Sequence, residues 1–227
     1  MKKKVVLFDI DNTLIRASKG HKKAFVEFLK DNFRISITEE KLKEYEGKID
    51  NQILLEILKE NKIKVKKKKI KTYHKALTHL AKKHISKEKF IVLKGAKEIL
   101  RELQKKNVLL GVITGNLKEI ARAKLKKLGI YTYFKVGAFG GEAFDRADLV
   151  KIALDRISNI DSSIKRKDIF IIGDSIYDVM CGKPYKIKTI AVATGEHSYG
   201  RLKSKGPNYL FKDLSDYKNI IKIILKD

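Results

Sequence analysis

Residues 5–14 read Val5-Val6-Leu7-Phe8-Asp9-Ile10-Asp11-Asn12-Thr13-Leu14, an apolar run that ends by presenting two carboxylates and a hydroxyl at alternating positions. Alternate residues at a strand end point the same way, so Asp9, Asp11 and Thr13 face one crevice beyond the sheet, where ligands of open α/β folds bind. Carboxylates at close quarters repel one another unless a cation neutralises them. A hard divalent ion such as Mg²⁺, which prefers carboxylate oxygen together with phosphate, meets that need. The stretch therefore points to phosphoryl chemistry at the edge of an α/β sheet.

Working outward, Val108-Leu109-Leu110-Gly111-Val112-Ile113-Thr114-Gly115-Asn116 is another apolar run breaking into a hydroxyl residue and a glycine. A hydroxyl and backbone amides ahead of a helix from Leu117 suit phosphoryl oxygens; the same residues alone read better as a turn and helix cap, and it is the order and context of the motifs that favour the phosphoryl reading. Ile169-Phe170-Ile171-Ile172-Gly173-Asp174-Ser175-Ile176-Tyr177-Asp178 repeats the design. There Gly173 allows a tight turn, and Asp178 follows Asp174 by one helical turn. Apolar runs near 5–8, 108–113, 169–172 and 188–193, separated by helical patterns, predict a parallel doubly wound sheet. A short strand near 208–211 and a helix from Ser215 complete it.

These motifs, in this order, resemble the haloacid dehalogenase (HAD) superfamily of aspartate-nucleophile hydrolases, in its helical-cap, phosphoglycolate phosphatase-like branch. Asp9, Asp11 and Thr13 match its first motif, Thr114 its second, and Gly173, Asp174 and Asp178 its fourth. The third, a basic residue between nucleophile and phosphate, departs from the common Lys-Pro form. Arg146, in Asp145-Arg146-Ala147, is the choice, with Lys151 and Lys135 as alternatives. The resemblance implies an α/β HAD-like core of residues 1–15 and 91–227 and an α-helical cap of residues 16–90. Within that cap Gly47-Lys48-Ile49-Asp50 resembles a Gly-Lys-Thr-Asp element, with isoleucine in place of threonine. Lys48 there is expected to read the far end of an anionic substrate, whereas His21 reads as a solvated helical residue.

The activity that the resemblance implies is that of a Mg²⁺-dependent phosphomonoester hydrolase acting on a small phosphorylated metabolite. Asp9 would form an aspartyl-phosphate and Asp11 would act as acid and then base. Thr114, Gly115, Asn116 and Arg146 would hold the phosphoryl group. Mg²⁺ would lie among the Asp9 carboxylate, the Asp11 backbone carbonyl, Asp174 and Asp178. The nearest rival is a sugar-phosphate mutase of the β-phosphoglucomutase type, which would retain the phosphoryl group. Dehalogenation is disfavoured because that branch lacks the role assigned to Asp11.

A third alternative, a basic nucleic-acid-binding or regulatory protein on the same scaffold, arises from a net charge of +25. Residues 16–91 carry 22 basic and 10 acidic residues and the remainder 30 and 17, so the excess is spread over the whole chain. Forty-four of the 52 basic residues are lysine, whereas specific nucleic-acid recognition favours arginine interleaved with aromatics. Specific nucleic-acid binding is therefore not expected, and the run Lys66–Lys69 reads as a solvated loop or helix start. No segment approaches the ~18 apolar residues of a membrane span. Asp9 interrupts the basic start too early for a leader, so no processing is expected. A single cysteine, Cys181, forms no internal disulfide and points to a reducing cytoplasm, and it reads as packing rather than as a nucleophile. No motif speaks to oligomeric state.

Overall fold

The structure is a computed structural model describing residues 3–226. Met1 and Lys2, from the basic start, together with Asp227 and the side chain of Lys67, lie outside the described residues. Six strands, β1 (Val5–Phe8), β2 (Leu109–Thr114), β3 (Val136–Phe139), β4 (Ile169–Gly173), β5 (Lys188–Val192) and β6 (Tyr209–Phe211), form one sheet in the order β3-β2-β1-β4-β5-β6. Every neighbouring pair is parallel. Such strands are covered on both faces, which explains why β1, β2 and β4 are continuous apolar runs with every residue buried.

The chain crosses from β1 to β2 and β3 on one side, then returns to β4 on the other. The β1/β4 edge is therefore a switch point, where the two crossovers diverge and leave a crevice at the carboxyl ends. Both acidic motifs end there. The strand β3 is not among those the sequence pattern predicts. Its four residues, Val-Gly-Ala-Phe, include no continuous branched run, and it sits at the sheet edge with alternate residues only partly buried.

Helices α4 (Ala96–Lys105), α5 (Lys118–Lys127) and α9 (Tyr217–Lys226) cover one face through Ile99, Leu103, Leu125, Ile220 and Ile224. The other face lies under α6 (Arg146–Ile160) and α7 (Ile176–Gly182), through Leu149, Ala153, Ile157 and Cys181. Burial pushes the Cys181 thiol up to about 12, so it packs as a small neutral group. A short helix, α8 (Tyr199–Ser204), precedes β6.

Between β1 and β2 the chain inserts α1 (Lys19–Phe33), α2 (Asp50–Glu60) and α3 (Ile70–Lys87). The segment is not helical throughout, since a 3₁₀ turn at Lys41–Tyr45 and irregular stretches separate the helices. These helices share their own apolar cluster of Phe28, Leu29, Leu54, Ile57, Leu77 and Ile85, which also takes in Leu117 and Ile120 from the α5 end. At about 25 cal/mol per Å², each such side chain favours this packing by about 1.5–3 kcal/mol. The two connections run side by side: Arg16 N donates to Ile91 O at 2.9 Å, and Leu93 N to Leu14 O at 3.0 Å. The Glu88 carboxylate then accepts from Ser18 Oγ, Lys19 N and Gly20 N at 2.7, 2.8 and 3.0 Å, satisfying the first amides of α1.

Candidate active site

At the crevice, carboxylate oxygens of Asp9, Asp174 and Asp178 lie within 4.8 Å of one another, and all three residues are buried. Asp9 ends β1, where its amide still pairs with Ile172 O of β4 at 2.9 Å, and Asp174 ends β4. Thr13 Oγ1 donates to Asp174 Oδ1 at 3.0 Å. Asp178 lies in the first turn of α7, where Ser175 caps the helix and donates both N and Oγ to Asp178 Oδ2 at 3.0 and 2.5 Å. Cap and site are thus the same residues. Gly173 is required for close approach rather than for a turn, because a Cβ there would meet the Asp178 carboxylate carbon at 2.2 Å.

Burial pushes the Asp9 carboxyl up to about 7 against the pull of Arg146, with Asp178 and Asp11 adding to the rise. Asp174 is raised too, by burial and then by its acidic neighbours. Three buried carboxylates brought within 4.8 Å of one another present a compact oxygen ligand set that fits a hard divalent cation. The Asp11 carboxylate stands outside this set, so only its backbone carbonyl remains available for the role expected of it.

Arg146 opens α6 behind an N-cap from Asp145, whose Oδ1 accepts from Ala147 N at 2.6 Å. Its Nη2 donates to Asp9 Oδ1 at 2.9 Å and to Asp178 Oδ1, and its Nη1 donates to Gly47 O at 2.9 Å. Burial opposes the charge, yet Asp178 and Asp9 hold the guanidinium above its ordinary value. Lys151 and Lys135 are exposed, and Lys135 donates to Thr132 O at 3.2 Å. Of the three basic residues considered, only Arg146 reaches the cluster.

Thr114 is fully buried at the end of β2, and its Oγ1 accepts from Asn116 Nδ2 at 2.6 Å. Asn116 Nδ2 also donates to Asp11 Oδ2 at 2.8 Å, so this carboxamide is turned toward the second aspartate. Lys124, which belongs to none of the sequence motifs, donates to Asp11 Oδ1 and Oδ2 at 2.8 and 2.6 Å and to Asn116 Oδ1 at 2.6 Å. Burial works against ionisation of Asp11, but Lys124 foremost, with His21 and Asn116, holds its carboxyl below the ordinary value. A signal for Lys124 is present in the sequence: it falls on the stripe of Ile120, Ala121 and Leu125, where helical periodicity demands an apolar residue.

The inserted helices supply the other wall. Before α2 the chain dips into the core, and Ile49, fully buried, joins the cluster of Val5, Leu7 and Ile113. Asp50 N donates to Gly115 O at 2.8 Å, and Asp50 Oδ2 accepts from Leu117 N at 2.7 Å. The amide at the start of α5 is therefore capped from 67 residues away, not by the local Thr-Gly-Asn. Gly115 is needed for this approach, since a Cβ would stand 2.5 Å from Lys48 O. Asn51 Nδ2 adds a bond to Ala143 O at 2.8 Å and Asn51 Oδ1 pairs with His74.

The resulting cleft is open to solvent and is walled by Phe25, Leu42, Tyr45 and Ile53 as well as by the carboxylates. Lys48 lines it, but its Nζ donates to Glu56 Oε2 at 2.5 Å and lies 5.3 Å from the Tyr45 ring centre. His21 is not solvated as expected; its ring tilts against Phe25, with Nε2 3.4 Å from Asp50 Oδ2. The Gly47–Asp50 segment does enter the crevice region.

A model of the haloacid dehalogenase-like hydrolase family matches residues 6–192, which include all four motif segments and the inserted helices. The chain belongs to that family. Among curated relatives, a protein of Caldanaerobacter subterraneus subsp. tengcongensis, carrying the PpaX name as a candidate pyrophosphatase, is 26% identical over 98% of this chain and 96% of its own. The pyrophosphatase PpaX of Oceanobacillus iheyensis is 22% identical over 96% of both chains. Among solved structures, CbbY from Rhodobacter sphaeroides in complex with phosphate superposes with a TM-score of 0.77 at 17% identity, covering 95% of this chain and 96% of that one. A hydrolase from Pseudomonas syringae gives 0.76 at 20% identity, covering 98% and 99%. These two share the fold over 95% and 98% of this chain. Among the described residues no helix is long and apolar enough to cross a membrane.

Proposed function

We propose that this HAD-family protein is a Mg²⁺-dependent phosphatase of small phosphorylated compounds, working through an aspartyl-phosphate on Asp9. The observation that carries this is the convergence of Asp9, Asp174 and Asp178 to within 4.8 Å at the strand ends, bridged by Arg146. In the first half-reaction an Asp9 oxygen bonds to phosphorus as the bond to the leaving oxygen breaks, and Asp11, which takes up a proton as the negative charge of the arriving phosphate offsets the pull of Lys124, gives that proton to the leaving oxygen. In the second, Asp11 takes a proton from water as the water oxygen bonds to phosphorus, releasing phosphate and restoring the Asp9 carboxylate. Arg146 and Thr114, with the turn at Gly115 and Asn116, stabilise the charge on the phosphoryl group in transfer.

Asp9, Asp174 and Asp178, with the Asp11 carbonyl, would hold Mg²⁺, which supplies charge neutralisation between carboxylate and phosphate. Residues 16–90 act as the cap. Their segment Gly47–Asp50 closes one side of the crevice, and Lys48 faces the non-transferred end of the substrate. Residues 1–15 and 91–227 form the core beneath. The lone cysteine suits a cytoplasmic setting.

The PpaX relatives make inorganic pyrophosphate the first compound to test, beside phosphoglycolate and other short phosphate esters. Phosphate release with Mg²⁺, absent in EDTA and in Asp9→Asn, is the expected result. Interconversion of sugar phosphates without net phosphate release would favour the mutase reading instead. Failure to release phosphate from any compound, with sequence-selective nucleic-acid binding that survives physiological salt, would overturn the enzyme assignment.

A further inference from the structure

Lys124 is a buried charge that the proposed chemistry leaves unused. Its side chain is fully buried, on a helical face shared with Ile120, Ala121 and Leu125. Removing an ammonium from water costs several kcal/mol, and a leucine or methionine would fill that face without the cost. The ammonium has three short acceptors, Asp11 Oδ1, Asp11 Oδ2 and Asn116 Oδ1, at 2.8, 2.6 and 2.6 Å, with His21 Nδ1 farther off at 3.4 Å. Asn116 Nδ2 closes the figure by donating to Asp11 Oδ2 at 2.8 Å. The result is a closed triangle of lysine, aspartate and asparagine in which both oxygens of one carboxylate are fixed.

Two simpler roles do not fit. Lys124 is absent from the cleft wall, which Asp11 and Asn116 do line, so it has no face to offer a substrate. Nor does it neutralise the Asp9, Asp174 and Asp178 group, since its partners are Asp11, Asn116 and, at 3.4 Å, His21 Nδ1. Its short hydrogen bonds, those to Asp11 and Asn116, converge on the orientation of one side chain. Asp11 otherwise has two rotatable bonds and a partly exposed carboxylate, and a misplacement of about 1 Å in a reacting group can cost roughly 10²-fold in rate.

We propose that Lys124 is a positioning residue that, through the triangle with Asn116, fixes the Asp11 carboxylate in the orientation from which it serves the leaving group. This rests on the proposed role of Asp11 as acid and base. It makes α5, rather than the motif-bearing strand alone, responsible for aiming the second aspartate. A loss of aim matters most where proton delivery matters most, namely for alkyl phosphates with poor leaving groups, and least for activated aryl phosphates.

The test is single-turnover phosphoryl transfer in the full-length protein with Mg²⁺, comparing an alkyl phosphate that the wild type hydrolyses with p-nitrophenyl phosphate. Lys124→Met should slow the alkyl ester by about 10²-fold and the aryl ester by less than about threefold, with KM nearly unchanged. On top of Asp11→Asn, the same substitution should add less than about threefold, because residues acting as one unit are not additive. If Lys124→Met does not fold, Lys124→Gln keeps a donor without the charge and is read in the same way. The Asp11→Asn/Lys124→Met pair, which removes both charges together, provides the reference. Equal losses for both esters, a raised KM with unchanged kcat, or a full additional loss on the Asp11→Asn background would each overturn the proposal while leaving the phosphatase reading intact. A wild type that releases phosphate from no compound would overturn the phosphatase reading instead.

Discussion

The crevice has two walls built by different means. On the core side, Asp9, Thr114 and Asp174 are placed by strand ends, and Arg146 and Asp178 by the first turns of helices. On the inserted side, Gly47–Asp50 is placed by what it touches: Ile49 in the sheet's apolar cluster, Asp50 on Gly115 O and Leu117 N, and Gly47 O on Arg146. The first kind of placement comes from the sheet and the helices packed on it, the second from contacts made across the crevice. Substitutions on the core wall should therefore act on the reaction itself, and those on the inserted wall on which substrate is held.

The largest effect should come from Asp9→Asn. It keeps the shape of the side chain and removes the nucleophile, so turnover should fall by about 10⁴-fold or more while the fold is retained. Phosphate release and acid-quenched labelling both report it, and the labelled phosphoenzyme should vanish. Full activity in this variant would remove Asp9 from the mechanism and erase the distinction between the walls. Arg146→Met should come next. Removing a charge-stabilising donor costs roughly 10²–10³-fold in kcat, and this arginine also spans the two walls through Gly47 O. Arg146→Lys should recover little, because a single ammonium cannot reproduce a fork that meets Asp9, Asp178 and a carbonyl together. Comparable kcat for wild type and Arg146→Met would shift the third-motif role to another residue.

A smaller effect concerns pH. Burial raises Asp9 in the metal-free protein from 3.8 to about 7. A carboxyl raised in this way favours the folded state while protonated, a contribution complete below about 3.8 and lost as pH climbs through about 7. The Tm in EDTA should accordingly drift down by on the order of several degrees between pH 4 and 7. Asp9→Asn should reduce that drift and leave the share that the raised Asp174 carboxyl contributes. Mg²⁺ should add more to Tm at pH 8 than at pH 5, since protons and metal compete for the same oxygens. A wild-type profile no steeper than that of Asp9→Asn would mean that Asp9 stays ionised without a cation.

The same contrast decides what is legible in the sequence. Residues aimed by a strand end carry a local signature, an apolar run breaking into Asp-x-Asp or Gly-Asp, so Asp9 and Asp174 are legible, and so is the sheet around them. The strand β3 is not, because an edge strand of Val-Gly-Ala-Phe has neither a branched run nor strict alternation of polar residues. His21 reads wrongly as solvated because its contacts, Phe25 apart, are with residues about 30 and 100 positions away. Lys124 is hidden by the abundance of lysine: in a chain with net charge +25, one more in Ala123-Lys124-Leu125 passes as surface, although its periodic position does not. Asp50 matches its motif by type, but its capping of α5 depends on tertiary docking that no local pattern encodes.

The smallest effect, and the one that most sharpens the contrast, is expected at Lys48. It is the inserted wall's candidate for contact with the substrate's far end, yet it stands paired with Glu56 at 2.5 Å. A partly buried ion pair of this kind contributes little to stability, so Lys48→Met should leave Tm close to wild type. If Lys48 exchanges Glu56 for an anionic group of the substrate, the substitution should raise KM by up to about tenfold for pyrophosphate or phosphoglycolate and leave kcat within about twofold. For a phosphate ester whose leaving group is neutral, KM should hardly move. Glu56→Gln should act in the opposite direction, lowering KM for the doubly anionic compounds by freeing the ammonium. A matched fall in kcat for every substrate would instead place Lys48 with the core residues that act on the transferring phosphoryl group, and the division between the two walls would no longer hold.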